Sequence, residues 1–215
     1  DVVLDIAITA NRPDGMSMCG IAKEISALTK SKIKLPKDVH LINTESVKEK
    51  TLDKSIIDEN GIYTITLIEG VNGNILSNKL IKRRLESSGI KSVNSIVDVT
   101  NYIMLEQGQP LHAFDADLIE QLTKKKVSYE SFSVRKAKSG EKLETIDGKV
   151  TELTDNCSVV TCHDYPIALA GVIGGKETAV NKNTRRIWLE CAVFTQTSVR
   201  NSSRDVGIRT EASSR

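Results

Sequence analysis

The chain has 215 residues, of which 39% are hydrophobic and 27% are charged, and its formal net charge is +2. This composition is ordinary for a globular protein with one good core, and so small a net charge neither requires nor excludes a nucleic-acid partner. The longest apolar runs, such as Ile167–Ile173, are much shorter than the roughly 20 residues that cross a bilayer, and no cleavable signal pattern opens the chain. We therefore expect a cytoplasmic protein with no membrane partner, in which any RNA contact comes from a local patch of charge.

The N-terminal part of the chain carries one clear helical pattern. Apolar residues at positions 18, 21, 22, 25 and 28 have the spacing of one helix face, and Asp14 before them supplies an acceptor side chain to cap the start, which together predict a helix over residues 16–29. The next stretch, 29–60, is rich in Lys, Ser, Asp and Glu, and its apolar patch at Val39–Ile42 indicates a short strand within a connector. This stretch is the expected boundary between a small N-terminal unit and the main domain.

Three units are expected along the chain. They are an N-terminal helical segment and connector over residues 1–45, a main domain over 46–205 and the start of a linker to a following domain over 206–215. The chain begins without Met and ends at EASSR with no capping signal, so we expect it to be a fragment excised from a longer protein.

The four cysteines do not have the spacing of a zinc site. Cys19, Cys157, Cys162 and Cys191 form no CxxC pair, and the only nearby histidine is His163, which adjoins Cys162. Because structural zinc sites use closely spaced thiolate and imidazole ligands, we expect free, buried thiols and no bound metal.

A strand and a basic helix are predicted next. Ile62–Ile68 alternates β-branched and aromatic residues, Asn72-Gly73 marks a turn, and Asn78 is placed to cap a helix that Gly89 ends. The helix is predicted from about residue 79 to residue 88 and carries four cations, Lys79, Lys82, Arg83 and Arg84. Such a run is either a solvated helix face or a set of phosphate contacts.

The segment Val97–Asp115, which reads VDVTNYIMLEQGQPLHAFD, places several polar side chains around one turn. A helix-like run with Thr100 and Asn101 ends at Gly108 and is followed by His112. Taken alone, this is a weak site candidate, because a single histidine near apolar residues is usually a core or capping residue. Asp115 has two interpretations of equal weight, as a group that orients the His112 ring or as the cap of a following helix.

The second half of the chain is rich in strands. Predicted strands include Ser131–Ala137, a hairpin around Asp147-Gly148 and three later segments, Cys157–Cys162, Ile167–Val172 and Ile187–Ala192. Thr195 is expected to cap a last helix that runs toward Gly207, with Val199 facing inward and Arg200 and Arg204 facing outward. So many strands with few helices between them predict a largely antiparallel α+β core.

Five segments in register carry a family resemblance. They are ITANRPDGMSMCGIAKEISAL (Ile8–Leu28), the Val97–Asp115 segment, IALAGVIGG (Ile167–Gly175), IWLECAVF (Ile187–Phe194) and GIRTEASSR (Gly207–Arg215). Together they closely resemble the beta subunit of bacterial phenylalanyl-tRNA synthetase. The resemblance implies the fold of that subunit's editing module, a layered β-sandwich of unusual topology with flanking helices.

The resemblance also implies a function. The editing module hydrolyses tyrosine that has been misattached to phenylalanine tRNA, while the synthetic site of that enzyme belongs to an alpha subunit in an alpha2-beta2 heterotetramer. We therefore expect no cofactor in this fragment, ATP and Mg²⁺ as requirements of the full synthetase only, and no DNA partner. The alternative from a different class is a non-catalytic tRNA-docking or subunit-packing module of the same synthetase.

Glu190 is the expected reader of the tyrosine hydroxyl. A synthetic pocket built for phenylalanine cannot strongly reject an analogue that only adds a hydroxyl, so editing needs a second site that hydrogen-bonds that group. Glu190 lies in WLECAVF among mostly apolar residues, where an unpaired carboxylate is costly. The residues alone also allow an outward-facing Glu190 on a strand face shared with Trp188 and Ala192, whereas the family's glutamate in this motif accepts the hydroxyl.

The resemblance assigns roles to further residues. Gly171 is expected to line the tyrosine pocket with backbone hydrogen bonds, and Ala170 to keep the pocket wall small. His112 is expected to hold the substrate and the attacking water, as a base or as a hydrogen-bond donor. Thr100 and Asn101 are expected to position the amino acid and the terminal adenosine.

A tRNA-facing patch is expected on the basic helix. It comprises Lys79, Lys82, Arg83, Arg84 and Lys91. Several family members carry an arginine where this chain has Lys91, and lysine cannot make the same bidentate contact.

Overall fold

The computed structural model describes residues 2–9, 11–34, 50–51 and 61–215. In the first of these regions, helix α1 (Met18–Thr29) confirms the predicted helix, but its cap is Ser17, whose hydroxyl accepts from the amide of Gly20. The Asp14 carboxylate instead accepts from Arg12 at 2.8 Å. The predicted strand at Val39–Ile42 and the expected boundary at residues 45 and 46 lie outside the described residues.

One four-stranded antiparallel sheet contains the strand that carries WLECAVF. Its strands are β1 (Lys50–Thr51), β2 (Ile62–Glu69), β3 (Leu111–Asp115) and β10 (Arg186–Val193), in the order β1-β2-β10-β3. Strand β10 therefore lies between β2 and β3 and is hydrogen-bonded to both. Residues that are more than 100 positions apart in sequence become neighbours in this sheet.

A second four-stranded sheet and a small hairpin complete the β structure of the described residues. The sheet contains β4 (Phe132–Lys136), β7 (Ser158–Cys162), β8 (Tyr165–Leu169) and β9 (Ile173–Gly174) in that order, and the hairpin pairs β5 (Lys142–Glu144) with β6 (Val150–Glu152). All of these pairings are antiparallel. The predicted strands of the second half of the chain are confirmed, with shifts of a few residues at their ends.

The remaining helices begin and end at capping residues that are visible in the sequence. They are α2 (Lys79–Ser87), α3 (Ser95–Gln107), α4 (Ala116–Thr123) and α5 (Gln196–Val206), capped at their N-termini by Asn78, Asn94, Asp115 and Thr195 respectively. Gly108 ends α3 with φ of 85° and Gly207 ends α5 with φ of 68°, in the left-handed region that glycine tolerates.

The two large sheets share one hydrophobic core. From the first sheet come Tyr63, Phe114 and Trp188, and from the second come Phe132 and Val160, all of them fully or almost fully buried. The Trp188 indole makes edge contacts with the Tyr129 and Phe132 rings at centroid distances of 5.2 and 5.1 Å. The predicted α+β class with layered sheets and flanking helices is confirmed.

The two faces of the first sheet pack against different parts of the structure. Its outer face carries Ala113 and Ile187, which pack against Ile96 of α3 in a separate cluster. Its inner face turns toward the second sheet, because side chains alternate between the faces of a strand and Phe114 and Trp188 lie in the shared core.

Within the described residues no helix is both long enough and apolar enough to cross a lipid bilayer.

Candidate functional site

The pairing of β10 with its two neighbours places Glu190 beside His112. The Cα atoms of Glu190 and His112 are register partners between β10 and β3, and Ile65 of β2 is the partner of Glu190 on the other side. Trp188 shares the face of Glu190 and lies in the core between the two sheets, so this face is the inner one, and Glu190 is 8% exposed. The outward-facing interpretation of Glu190 is therefore wrong, and the carboxyl group is buried.

Tyr63 of β2 joins these two residues. It lies two positions before Ile65, on the same strand face, and its side chain is fully buried. Its hydroxyl lies close enough to the Glu190 carboxylate that the negative charge raises the pKa of the phenol, in addition to the larger effect of burial. A hydrogen-bond interaction between the two groups contributes to both pKa shifts, but by strict hydrogen-bond geometry neither the Tyr63 hydroxyl nor Glu190 Oε2 has a partner.

Unpaired polar atoms are concentrated at this point. Five buried side-chain polar atoms in the described residues have no hydrogen-bond partner within the protein, and three of them are Tyr63 Oη, His112 Nε2 and Glu190 Oε2. A buried polar atom without a partner costs about 1–3 kcal/mol, and native folds contain few of them. Three of the five lie on the inner face of one sheet, which makes this face the candidate polar site of the described residues.

Burial determines the charge states of the site. It raises the pKa of Glu190 to about 7, an effect that the nearby Tyr63 hydroxyl partly offsets. Burial also lowers the pKa of His112 to about 4. At neutral pH the imidazole is therefore uncharged, and the carboxyl group is close to half ionised.

A cavity of about 880 Å³ opens above these residues. Glu190, His112, Gly171 and Gly174 line it, together with residues from the N-terminal segment, the end of α3 and α5. Glu190 is 8% exposed and therefore lies at the deep end, whereas Arg200 is exposed and lies at the open end. A volume of this size is in the range of pockets that bind small molecules and cofactors.

Two glycines shape the cavity wall. A Cβ atom on Gly174 would lie 2.4 Å from His112 Cε1 and 2.5 Å from His112 Nε2, so the imidazole occupies the space that any larger residue would fill. Gly171 has a φ of 68°, and a Cβ atom there would lie 2.7 Å from Val199 Cγ2 and 3.0 Å from Phe194 Cδ2. Both the backbone conformation and the close packing therefore require glycine at position 171.

Three other residues expected at the site do not line the cavity. Ala170 is buried in the core that the two sheets share. Thr100 and Asn101 lie on α3, which packs on the outer face of the sheet through Ile96, and the Thr100 hydroxyl donates to the carbonyl of Val97 at 2.8 Å. The structure therefore does not bring these three residues to the cavity that Glu190 and His112 line, and Asp115 caps α4 and accepts from Thr184.

The cations of α2 also lie away from the cavity lining. Lys79, Lys82 and Arg84 are exposed, but Lys82 pairs with Glu86 at 3.8 Å and Arg84 lies over the Tyr102 ring of α3 at 5.8 Å. Lys91 is exposed and does not line the cavity either. Any RNA contact made by this patch is therefore separate from the deep end of the cavity.

Sequence patterns did not single out Tyr63 or assign a role to Gly174. Tyr63 stands out only as the one aromatic residue of an otherwise aliphatic and threonine-rich strand, and Gly174 appears only within a general turn motif. The pairing that brings Tyr63 near Glu190 joins strand β2 to strand β10, which are far apart in the sequence. No local signal reveals such a pairing.

The described residues contain no group of three or more His, Cys, Asp or Glu side chains arranged to hold a metal ion. The four cysteines are free thiols, and Cys157 and Cys162 are the buried ones.

The chain is an α+β domain in which an uncharged imidazole and a buried carboxyl group line one cavity. Residues 59–215 match the family model described as the B3/4 domain. The chain therefore belongs to the B3/4 domain family.

The chain is similar over its whole length to phenylalanine-tRNA ligase beta subunits. It is 57% identical to that of Prochlorococcus marinus (strain MIT 9312) over 215 residues and 51% identical to that of Synechococcus sp. (strain CC9605) over 215 residues. In both comparisons the matched region is 100% of this chain and 26% of the relative, so the chain spans about a quarter of the length of these beta subunits.

One solved structure is also similar, an N-terminal fragment of the phenylalanyl-tRNA synthetase beta subunit from Pyrococcus horikoshii. The likeness has a TM-score of 0.38 at 15% identity and covers 94% of this chain and 60% of that one. At this level it carries no argument about the site.

Replacing Glu190 should change how stability depends on pH. Because the pKa of this carboxyl group is raised from 4.5 to about 7, its proton stabilises the fold below pH 4.5, and that contribution is lost as the pH rises through 7. The free energy of unfolding of Glu190→Gln, minus that of the parent, should therefore increase by about 2–3 kcal/mol between pH 5 and pH 8. Denaturant unfolding at both pH values measures this difference, and a constant difference would contradict a buried, ionisable Glu190.

His112→Asn serves as a control of opposite sign. The pKa of His112 is lowered from 6.5 to about 4, so its contribution to stability is present above pH 6.5 and is lost as the pH falls through 4. The free energy of unfolding of His112→Asn, minus that of the parent, should therefore increase as the pH falls from 6.5 to 4.

Proposed function

We propose that this chain is the editing part of a phenylalanine-tRNA ligase beta subunit and hydrolyses tyrosine misattached to phenylalanine tRNA. The observation that carries the proposal is the pairing of two buried, unpartnered polar atoms, His112 Nε2 and Glu190 Oε2, in the lining of a cavity of about 880 Å³, with the unpartnered Tyr63 hydroxyl behind them in the core. Membership of the B3/4 domain family and similarity to beta subunits support the assignment.

Selectivity for tyrosine follows from the cost of leaving the buried carboxyl group unpaired. A tyrosine side chain that enters the deep end brings one hydroxyl, which donates to the ionised form of Glu190. A phenylalanine side chain brings no polar atom, so the carboxyl group stays desolvated and without a partner. Sites built to hydrogen-bond a hydroxyl reject analogues that lack it far more strongly than apolar pockets reject an added hydroxyl.

The hydrolytic step needs water, a positioned ester and a route for one proton. The oxygen of water attacks the acyl carbon, the bond from that carbon to the ribose oxygen breaks, and the ribose oxygen gains the proton that the water loses. The uncharged imidazole of His112 is able to donate through one nitrogen and accept through the other, which suits a group that holds water or a ribose hydroxyl. Gly174 leaves the space in which this ring lies.

The wider assignment is also a proposal, because the chain spans only about a quarter of its relatives. We infer that the full beta subunit works in the cytoplasm with an alpha subunit and with phenylalanine tRNA, and that ATP and Mg²⁺ serve the synthetic reaction of the full ligase. The alternative function, a non-catalytic docking or packing module, gives no reason to bury three polar atoms without partners beside a cavity.

Replacing Glu190 should selectively weaken hydrolysis of the tyrosyl ester. Loss of one hydrogen bond to a charged group costs about 1–3 kcal/mol, so Glu190→Ala should slow deacylation of tyrosyl-tRNA by roughly 5- to 150-fold. Deacylation of phenylalanyl-tRNA should change much less. The assay compares both charged forms of phenylalanine tRNA with parent and variant, in this chain and in the complete ligase.

Glu152→Ala is the matched control for that assay, because Glu152 is an exposed glutamate on β6 that does not line the cavity. Equal effects of Glu190→Ala on the two esters, or none on either, would rule out Glu190 as the reader of the hydroxyl. Hydrolysis absent from both the parent chain and the complete ligase would reject the function itself.

His112 should act by positioning rather than as the general base. A base with a pKa of about 4 is poorly matched to neutral pH, where efficient proton transfer needs a pKa near the operating pH. We expect His112→Gln, which keeps a donor and an acceptor, to retain most of the activity, and His112→Ala to lose less than about 10²-fold. The pH profile of the parent's deacylation rate, measured from pH 5 to pH 8, should contain no inflection that depends on His112. An inflection near pH 6.5 that is present in the parent and absent from both variants would identify His112 as the base.

A further inference from the structure

One face of helix α5 forms part of the cavity wall. The helix follows β10 after Phe194 and Thr195, and its residues that line the cavity are Gln196, Val199, Arg200, Ser203 and Arg204. These positions have the spacing of a single helical face. Val199 packs against the core, whereas Arg200 and Arg204 are exposed at the open end of the cavity, about 6 Å apart along the helix axis.

A third arginine reaches the same cavity from the segment after α5. Ile208 packs against the core and the Thr210 hydroxyl donates to the carbonyl of Val172 at 2.8 Å, which anchors the segment. Between these two residues Arg209 is exposed and lines the cavity, and its Nε donates to the hydroxyl of Ser214 at 3.4 Å. Arg200, Arg204 and Arg209 are called the mouth arginines below.

The charges around the cavity are strongly unbalanced. Among the described residues that line it, Glu190 is the one carboxylic acid, and it lies at the deep end. Of the mouth arginines, Arg204 forms an ion pair with Asp205 at 3.5 Å, and Asp205 itself does not line the cavity; its other carboxylate oxygen accepts from Thr154 and Asn156. Arg215 also lines the cavity but donates to Glu211 at 2.7 Å, so its charge is largely compensated.

We infer that the mouth arginines bind the phosphates of the 3′-terminal nucleotides of an RNA whose aminoacyl ester lies at the deep end of the cavity. Guanidinium groups match phosphate oxygens in geometry and charge, and all three mouth arginines line the cavity and are exposed. The identity of the ester in this inference rests on the proposed function. The charge of the mouth arginines requires only that the bound RNA has an anionic, single-stranded 3′ end.

The mouth arginines are better placed for this contact than the cations of α2. The ester of a charged RNA is carried by the ribose of its last nucleotide, so the phosphates on the 5′ side of that ribose must pass through the open end of the same cavity. Arg200, Arg204 and Arg209 line that end, whereas Lys79 and Lys82 do not line the cavity. The two lysines therefore offer a matched control with the same loss of charge from an exposed helix.

The test measures affinity for uncharged phenylalanine tRNA over a range of salt concentrations. The variants are Arg200→Gln with Arg204→Gln, and Lys79→Gln with Lys82→Gln, each compared with the parent on intact tRNA and on tRNA that lacks its last three nucleotides. For single strands each lost phosphate contact lowers the slope of log affinity against log salt by about 0.7, so the arginine pair should lower it by about 1.4. Arg200→Lys with Arg204→Lys should restore the slope, because it restores the charge.

The expected result is specific to the 3′ end. The arginine pair should weaken binding of intact tRNA by about tenfold or more at moderate salt and should leave binding of shortened tRNA unchanged, whereas the lysine pair should keep the parent's preference for intact tRNA. Equal effects of both pairs, or an arginine effect that persists on shortened tRNA, would overturn the inference. Arg209→Gln alone, measured in the same way, decides the matter if the double variant does not fold.

These outcomes are independent of the hydrolysis assay, since uncharged tRNA carries no ester. Specific binding without deacylation by any form of the protein would reject the proposed function and keep the inference. Deacylation that is normal in the arginine double variant, with unchanged affinity, would reject the inference and keep the function.

Discussion

The antiparallel pairing of β10 between β2 and β3 is the constraint on which the site depends. It sets Glu190 opposite His112 on one side and next to the strand of Tyr63 on the other. Because side chains alternate along each strand, a shift of one residue in either pairing would turn Glu190 toward α3 and away from the cavity. The register is held by the inward face of the same strands, where Trp188 and Phe114 are in the shared core.

The site is an energetic compromise within that core. Three buried polar atoms without partners destabilise the fold, and the raised pKa of Glu190 and the lowered pKa of His112 are the electrostatic signs of the same burial. The surrounding apolar contacts offset this cost, among them the edge-on packing of Trp188 against Tyr129 and Phe132. A ligand that donates hydrogen bonds to these atoms would recover part of that free energy.

Local sequence signals predicted the elements well and their assembly poorly. Asn78, Thr195 and Gly108 mark helix ends because a cap acts within three or four residues of itself, so the pattern contains the physical cause. Asp14 was the wrong cap for α1, since Ser17 lies closer to the first free amides and Asp14 pairs with Arg12. The sheet order β1-β2-β10-β3 has no comparable local signal, because it joins distant segments.

The candidate site shows the same division. Glu190, His112 and Gly171 came from motifs that resemble a known family, and the structure brings all three to one cavity. Thr100 and Asn101 lie near His112 in sequence, but the turn at Gly108 sends α3 to the outer face of the sheet. Tyr63 and the mouth arginines became visible only with the pairing of β10 and the placement of α5.

The central claim is that the buried carboxyl group of Glu190 accepts a hydrogen bond from the hydroxyl of a bound tyrosine. The most direct test is to follow the Glu190 side-chain ¹³C resonance through a pH titration with two non-hydrolysable ligands, adenosine bearing tyrosine or phenylalanine through a 3′-amide. A hydroxyl that donates to the ionised carboxylate favours the charged form, so the tyrosyl ligand should lower the pKa of Glu190 below its value of about 7 in the free protein. The phenylalanyl ligand, which adds apolar surface and no donor, should leave that pKa unchanged or raise it. The same pKa with both ligands bound would contradict the account.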